Sequence, residues 1–424
     1  MRLQLCLLTI LLLAAPALAQ EQAPAPIKSG FYVGAPSCGS SNCHGSVRPR
    51  QVFDVLQNEY FTWLKRDPHA LTAYRVLFEE RSRIIARNLG LSAPASESKL
   101  CLDCHAMAVP KERQAKRVEI EDGIACEACH GPASGWIEGH TAEDWTYAQS
   151  VQAGMTDLRN VETRAGLCLS CHLGDGGKSV DHDLIAAGHP ELVFELENYS
   201  QAMPPHWKGR AGANVWAVGQ VAAFKEGLDL LARRVRSERW PEFGELSCEA
   251  CHHTLKEERW RRGPTGDRPG LPRWSPARWA ALRHLVAEAD PQVRAALDPE
   301  VARLGRQVAR LTTPPAEVAA TAERASRLLS GVPGRLAAAP LEVERLFLRL
   351  ASEGSLADRQ SAEQVYFALR TLSGGLLAKR PALRSSVPAA LESMRRSLDD
   401  PYDWSAGRFA DQLGQLRRRV EGAR

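Results

Sequence analysis

The sequence predicts a mainly α-helical chain with two different parts, and three observations lead to this expectation. Ten cysteines lie between residues 38 and 251, in a stretch without the alternation of apolar and polar residues that predicts β-strands. Cysteine is absent after residue 251, and alanine, leucine and arginine dominate the rest of the chain at helical spacing. We therefore expect a cysteine-rich region with little regular structure, followed by an α-helical bundle.

The first 19 residues have the features of a secretory signal peptide. Arg2 precedes an apolar run from Leu3 to Leu13, and the small residues Ala17 and Ala19 mark a cleavage position. The apolar run is too short to span a bilayer, and no later stretch reaches the roughly eighteen apolar residues of a membrane helix. We expect a periplasmic or otherwise exported protein that has no integral membrane segment after cleavage.

Removal of Cys6 with the signal peptide leaves ten cysteines, which form five close pairs. In every pair the second cysteine is followed directly by a histidine, although the chain has only 12 histidines in 424 residues. The motifs are Cys38, Cys43 and His44; Cys101, Cys104 and His105; Cys126, Cys129 and His130; Cys168, Cys171 and His172; and Cys248, Cys251 and His252.

This repeated pattern is the one that covalent haem attachment requires. Two thiols add to the vinyl groups of the porphyrin, and the imidazole of the next residue coordinates the iron. Zinc ribbons use two cysteine pairs per ion, and redox-active disulfides occur one per domain, so neither alternative explains the histidines. The sequence predicts about five covalently attached haem c groups.

The first motif differs from the others because four residues, not two, separate its cysteines. Gly39 and two serines dominate this spacer, so the backbone can loop out while both sulfurs reach one ring. A structural disulfide between Cys38 and Cys43 is the alternative. We expect a haem, because these two would otherwise be the only mature cysteines without a role.

The ligand on the opposite face of each iron separates electron transfer from catalysis, since an open face admits a substrate. Five further histidines match the number of motifs, and we expect them to be distal iron ligands: His69, His140, His182, His189 and His206. His253 and His284 are expected at the protein surface. Methionine ligation through Met155 or Met203 is the alternative to histidine.

About 43 residues per haem are too few for an ordinary core, so the cofactors themselves are expected to fill the interior. The predicted divisions are a signal peptide at 1–19, a linker at 20–36, the cysteine-rich domain at 37–258, a second linker at 259–276 and the helical domain at 277–424. Breaks that include Pro314–Pro315 and Gly374–Gly375 predict five or six helices in the last domain.

The formal charge of +4 makes the chain weakly basic and gives no argument for nucleic-acid binding. Five haems would add about ten propionate charges against about five positive charges at oxidised iron, so the loaded protein is expected to be acidic. Redox proteins, with possible membrane-bound redox complexes among them, are the expected partners.

Several segments resemble the multihaem cytochromes c related to the cytochrome c-554 family. The resemblance covers about residues 36–255, through SNCHGS, CEACHGP with GWIEGH, CLSCHLGDGG, DHDLIAAGHPELVFELENY and MPPHW. It implies a periplasmic electron carrier with stacked haems, most of which have two histidine ligands. It also implies distal roles for His69, His140, His182 and His189. The family's namesakes carry four haems, whereas this chain has five motifs.

Two functions are compatible with these features. An electron carrier holds redox centres between a donor dehydrogenase and a terminal acceptor, and makes no bond itself. A multihaem reductase of a small nitrogen or sulfur oxyanion needs one open-faced haem with proton donors beside it. The chain has enough histidines to close every iron, so we expect the carrier and not an enzyme.

Overall fold

The computed structural model describes residues 30–51, 55–205, 207, 212–252, 272–275, 277–354, 356, 358–401 and 404–423. The predicted signal peptide, His206, His253 and most of the second linker lie outside these residues. Within them the chain is mainly helical and has no β-sheet, which confirms the predicted fold class. Two isolated β-bridges join Tyr32 to Gln114 and Leu246 to Trp274.

Most helices of the cysteine-rich part are short. They are α1 (Glu59–Arg66), α2 (Leu71–Arg75), α3 (Glu80–Asn88), α4 (Lys99–His105), α5 (Cys126–His130), α6 (Tyr147–Gln152), α7 (Val161–His172), α8 (His182–Ala186), α9 (Leu196–Ala202) and α10 (Ala213–Arg234). Single 3-10 turns lie at Ala35–Ser37, Val76–Phe78, Lys111–Arg113, Ile120–Asp122, Ala133–Gly135, Gly139–Thr141, Phe243–Glu245 and Cys248–Ala250.

Local sequence signals explain where two of the histidine-bearing helices begin and end. The Asn160 side chain accepts hydrogen bonds from two backbone N–H groups at the start of α7, and the Asp181 side chain accepts one from the Leu184 N–H at the start of α8. Gly188 then adopts a φ of 118°, which glycine tolerates because it has no Cβ. Helix α8 therefore ends before His189, and that residue lies on the turn beyond it.

The apolar clusters of the cysteine-rich part are small. One groups Ala35, Trp63, Ala70, Met107 and Ala125, and another consists of six buried residues around Leu169 and Phe194. Clusters of this size bury much less apolar surface than the core of an ordinary globular domain. The expectation that cofactors fill the interior of this part stays a prediction.

The C-terminal part contains more helices than the five or six predicted. They are α11 (Trp279–Ala289), α12 (Pro291–Ala309), α13 (Pro315–Leu328), α14 (Val332–Ala338), α15 (Val343–Leu350), α16 (Arg359–Lys379), α17 (Ser386–Leu398) and α18 (Ala406–Gly422), with a 3-10 turn at Pro381–Leu383. The break predicted at Gly374–Gly375 is wrong, because both glycines lie inside α16. A Cβ on Gly375 would lie 3.2 Å from the Val343 side chain, so this glycine serves the close packing of α15 on α16.

Helix α10 belongs to the same core as these C-terminal helices. Trp216, Val221 and Leu228 are buried on it, and they join one apolar cluster with residues such as Leu282 of α11 and Leu369 of α16. Apolar residues occur on all sides of α10, the pattern of a helix that is enclosed by its neighbours. The bundle is thus built from two segments of the chain, and the fifth cysteine motif lies between them in sequence.

Candidate haem sites

Three of the five motifs end an α-helix. Helices α4, α5 and α7 finish at His105, His130 and His172 respectively, so the two cysteines and the histidine of each motif follow one another around a helical turn. The fifth motif forms a 3-10 turn, in which the His252 N–H donates to the Cys248 carbonyl at 2.7 Å. These four motifs present their side chains as the spacing predicts.

The first motif reaches the same arrangement through a longer loop. The His44 N–H donates to the Cys38 carbonyl at 3.2 Å. In the fifth motif, too, the histidine N–H donates to the carbonyl of the first cysteine. The Ser40 carbonyl accepts hydrogen bonds from the Cys43 N–H and the Gly45 N–H, both at 2.9 Å. These bonds hold the extra residues in a turn. A Cβ at Gly45 would lie 1.9 Å from a carbonyl oxygen of this loop, so only glycine fits there.

Four motif histidines each lie opposite one of the isolated histidines. The ring centroids are 6.3 Å apart for His44 and His140, 6.3 Å for His105 and His189, 6.0 Å for His172 and His69, and 6.5 Å for His252 and His182. Imidazole nitrogens bind metals at about 2.0 Å, so one metal ion between two imidazoles separates the ring centroids by about 6 Å. All four distances match this requirement.

The relative orientation of the rings divides the pairs into two classes. The planes of His44 and His140 are 4° apart, and those of His182 and His252 are 29° apart. The other two pairs are close to perpendicular, with interplanar angles of 87° and 76°. The pairs therefore offer two different ligand environments to a metal.

Hydrogen bonds at Nδ1 leave Nε2 available on five of these histidines. The Nδ1 atoms of His105, His140 and His189 lie 2.8, 2.6 and 2.7 Å from backbone carbonyl oxygens. Those of His44 and His69 lie 2.9 Å from Glu59 and Asp67 carboxylates. A partner of this kind fixes the tautomer of a metal-ligating histidine and raises its basicity. The sequence did not reveal these two carboxylates as part of the sites.

Hydrogen bonds raise the pKa of two of these histidines, and burial lowers the pKa of two others. The hydrogen bond to Glu59 raises the pKa of His44, and the bond to Asp67 raises that of His69. Burial lowers the pKa of His172 to about 4, beside the stacked ring of Phe194 at 4.7 Å, and burial also lowers the pKa of His189. The last two histidines are therefore neutral at pH 7, the form that binds a metal.

Two other predicted residues stand apart from these pairs. The carbonyl of His130 accepts a hydrogen bond from the Thr156 N–H at 2.8 Å, and His206, the remaining expected distal ligand, lies outside the described residues. His284, which we expected at the surface, is partly buried, and its Nε2 atom is hydrogen-bonded to Glu353.

None of the ten cysteines from Cys38 to Cys251 forms a disulfide, and this includes Cys38 and Cys43. Cys38 is hydrogen-bonded to Cys126, and Cys104 is hydrogen-bonded to Cys171. Thiols of different motifs are therefore in contact. Burial raises the pKa of Cys129 to about 12. Among the described residues, no three metal-ligating side chains form a site by themselves.

Comparison with known sequences identifies the region around the first three motifs. Residues 38–131 match the family described as cytochrome c554 and c-prime. This region is related to the cytochrome c-554 family. The match supports a c-type cytochrome in electron transfer, with covalently bound haem c, for this region of the chain. No curated protein and no solved structure matches the chain.

The fifth motif faces a cavity of about 480 Å³. His182, His252, Cys248 and Cys251 line it together with apolar side chains such as Phe224. A volume of this size, with apolar walls and a few convergent polar groups, is typical of cofactor pockets. The residues present at the fifth site therefore fit a haem. In the described part of the chain, no helix is both long enough and apolar enough to cross a membrane.

Proposed function

We propose that this protein is an exported electron carrier with five haem c groups, which links a donor dehydrogenase to a terminal acceptor. The observation that carries the proposal is the pairing of four motif histidines with four isolated histidines at 6.0–6.5 Å. Each haem would supply one-electron oxidation and reduction at its iron. The chain would hold it through two cysteines and two histidines.

The pairs give a specific assignment of ligands. The proposed proximal and distal ligands are His44 with His140, His105 with His189, His172 with His69, and His252 with His182. We assign His206 to His130, because the four other predicted distal histidines each face a different motif. Two protein ligands at an iron leave no face for a substrate, which favours a carrier over a reductase.

Contacts between motifs suggest the order of the sites. The Cys38–Cys126 contact joins the first site to the third, and the Cys104–Cys171 contact joins the second to the fourth. Electrostatic interaction with Cys168 and Cys171 adds to the raised pKa of Cys129, which supports a connection between the third site and the fourth. His182 and His189, at either end of the α8 segment, connect the fifth site to the second. We infer the order first, third, fourth, second, fifth.

Electron paramagnetic resonance of the oxidised protein, together with its intact mass, tests this proposal. The mass should correspond to five haems, and every iron should be low-spin. Parallel imidazole planes split the iron d orbitals more strongly than perpendicular planes, so the 4° and 29° pairs should give a different class of signal from the 76° and 87° pairs. A high-spin iron that binds added small ligands would instead favour the reductase.

A further inference from the structure

The C-terminal helices supply part of the wall around the fifth site. Trp274, Ser275 and Arg278 line the cavity from the segment before α11, and Gln360 and Glu363 line it from the start of α16. Helix α10, which packs in the same bundle, contributes further apolar side chains to the wall. The cavity therefore lies between the cysteine-rich part and the helical bundle.

Backbone hydrogen bonds hold the fifth motif directly against this wall. The Ser247 N–H donates to the Arg273 carbonyl at 2.7 Å, and the Ser275 N–H donates to the Glu245 carbonyl at 3.2 Å. The Arg359 N–H also donates to the Glu249 carboxylate at 3.2 Å. The position of the fifth motif thus depends on two separate segments of the C-terminal part.

The cavity is lined by two arginines, which differ in their partners. Arg234 forms an ion pair with Glu245 at 2.5 Å. Arg278 has a buried Nε atom without a hydrogen-bond partner among the described residues. Burying a donor of a charged group without an acceptor is energetically unfavourable, so such a group indicates a missing acceptor.

The acidic residues at the cavity have cations of their own. Glu191 and Glu363 both pair with Arg359, and the Glu191 contact measures 2.9 Å. Glu195 and Glu245 act electrostatically on Arg278, but neither accepts a hydrogen bond from its Nε atom. Arg278 is therefore the arginine of this wall that can receive an anionic group from a molecule in the cavity. The anionic groups of haem c are its two propionates, and the guanidinium group matches a carboxylate in shape and charge.

We propose that the C-terminal helical part is a haem-binding element that closes the fifth site, with Arg278 as the anchor of a haem propionate. This inference rests on the proposed function, because it requires a haem at Cys248 and Cys251. It gives the helical part a role in cofactor binding. It also predicts that the charge of Arg278 acts on one haem and not on the other four.

Spectroelectrochemical titration of the full-length, haem-loaded protein tests the anchor. The double variant Cys248→Ala, Cys251→Ala should lack the mass of one haem. The redox centre that disappears from its titration is then the fifth centre. Arg278→Gln should keep all haems, because attachment is covalent, but should lower the potential of that centre alone. Loss of a nearby positive charge makes the reduced haem less stable. Arg278→Lys, which retains the charge, should stay close to the wild type.

Arg417→Gln is the matched control, because Arg417 is about half exposed on α18 and pairs with Glu421 at 3.0 Å. It should leave every potential unchanged. An unchanged fifth potential in Arg278→Gln, or an equal shift of all centres, would overturn the anchor. If the double-cysteine variant keeps the wild-type haem count, the proposed fifth haem itself fails, which is a separate result.

Hydrogen exchange provides a measurement that does not depend on the folding of Arg278→Gln. The double-cysteine variant should exchange faster than the wild type in residues 272–278 and 359–364, because the wall loses the group that it packs against. Exchange in α18 should stay the same. Wild-type exchange in both wall segments would show that the helical part does not close the fifth site.

Discussion

The carboxylate of Glu127, inside the third motif, offers a quantitative test of how the cysteine-rich part is held together. The side chain is 2% exposed. Oε2 accepts from the Gly34 N–H at 2.8 Å, and Oε1 accepts from the Ala133 N–H at 2.7 Å. The Val33 N–H donates to both oxygens at 3.0 Å. One buried carboxylate therefore joins the N-terminal segment to the third motif.

The substitution Glu127→Gln replaces one of these acceptor oxygens with an amide N–H₂ group. The amide can still accept from one side, but on the other side a donor then faces the Gly34 or Ala133 N–H. A hydrogen bond to a charged group contributes about 1.5–3 kcal/mol, and leaving a buried donor unpaired costs about 1–3 kcal/mol. We expect a local destabilisation of about 3 kcal/mol.

Hydrogen exchange of the loaded protein, followed by mass spectrometry, measures this effect at residues 30–37. A loss of about 3 kcal/mol corresponds to roughly hundredfold faster exchange at Val33 and Gly34, since each 1.4 kcal/mol is about tenfold. Glu121→Gln is the control, because Glu121 is exposed. Wild-type exchange at Val33 and Gly34 in Glu127→Gln would refute the reasoning.

Three further variants test the proposed sites. His140→Ala should convert one iron to a high-spin form that added imidazole returns to low-spin, whereas His284→Ala should convert none; an all-low-spin His140→Ala protein would contradict the assignment. Gly45→Ala places a Cβ 1.9 Å from a carbonyl oxygen, so the intact mass should show loss of the first haem, and full loading would argue against a tight loop. Asp67→Asn removes the carboxylate at His69 and makes that ligand less basic, so the potential of one centre should rise in a redox titration; a fall would contradict this.

The attachment motifs could be read from the sequence because their chemistry is local. Two thiols and an imidazole within five residues occupy one helical turn wherever the helix lies, and α4, α5 and α7 show this arrangement. The longer first motif was harder to interpret. Its closing bond between His44 and Cys38 depends on how the extra residues fold, which the spacing does not specify.

Counting histidines predicted a set of distal ligands but not their partners. His44 and His140 are far apart along the chain, and only the folded backbone places their rings 6.3 Å apart. Asp67 and Glu59 were missed for a similar reason. Acidic side chains are common near histidines in sequence, and only geometry shows which of them accepts a hydrogen bond from Nδ1.

The sequence alone predicted a mainly helical chain with five motifs typical of covalent haem attachment, because residue spacing and helical periodicity are properties of short segments. The tertiary structure decided which histidines face each other, that α10 joins the C-terminal bundle, and that Arg278 lines the fifth site. These features depend on contacts between distant segments. Such contacts are set by burial and packing of the whole chain, which local patterns do not encode.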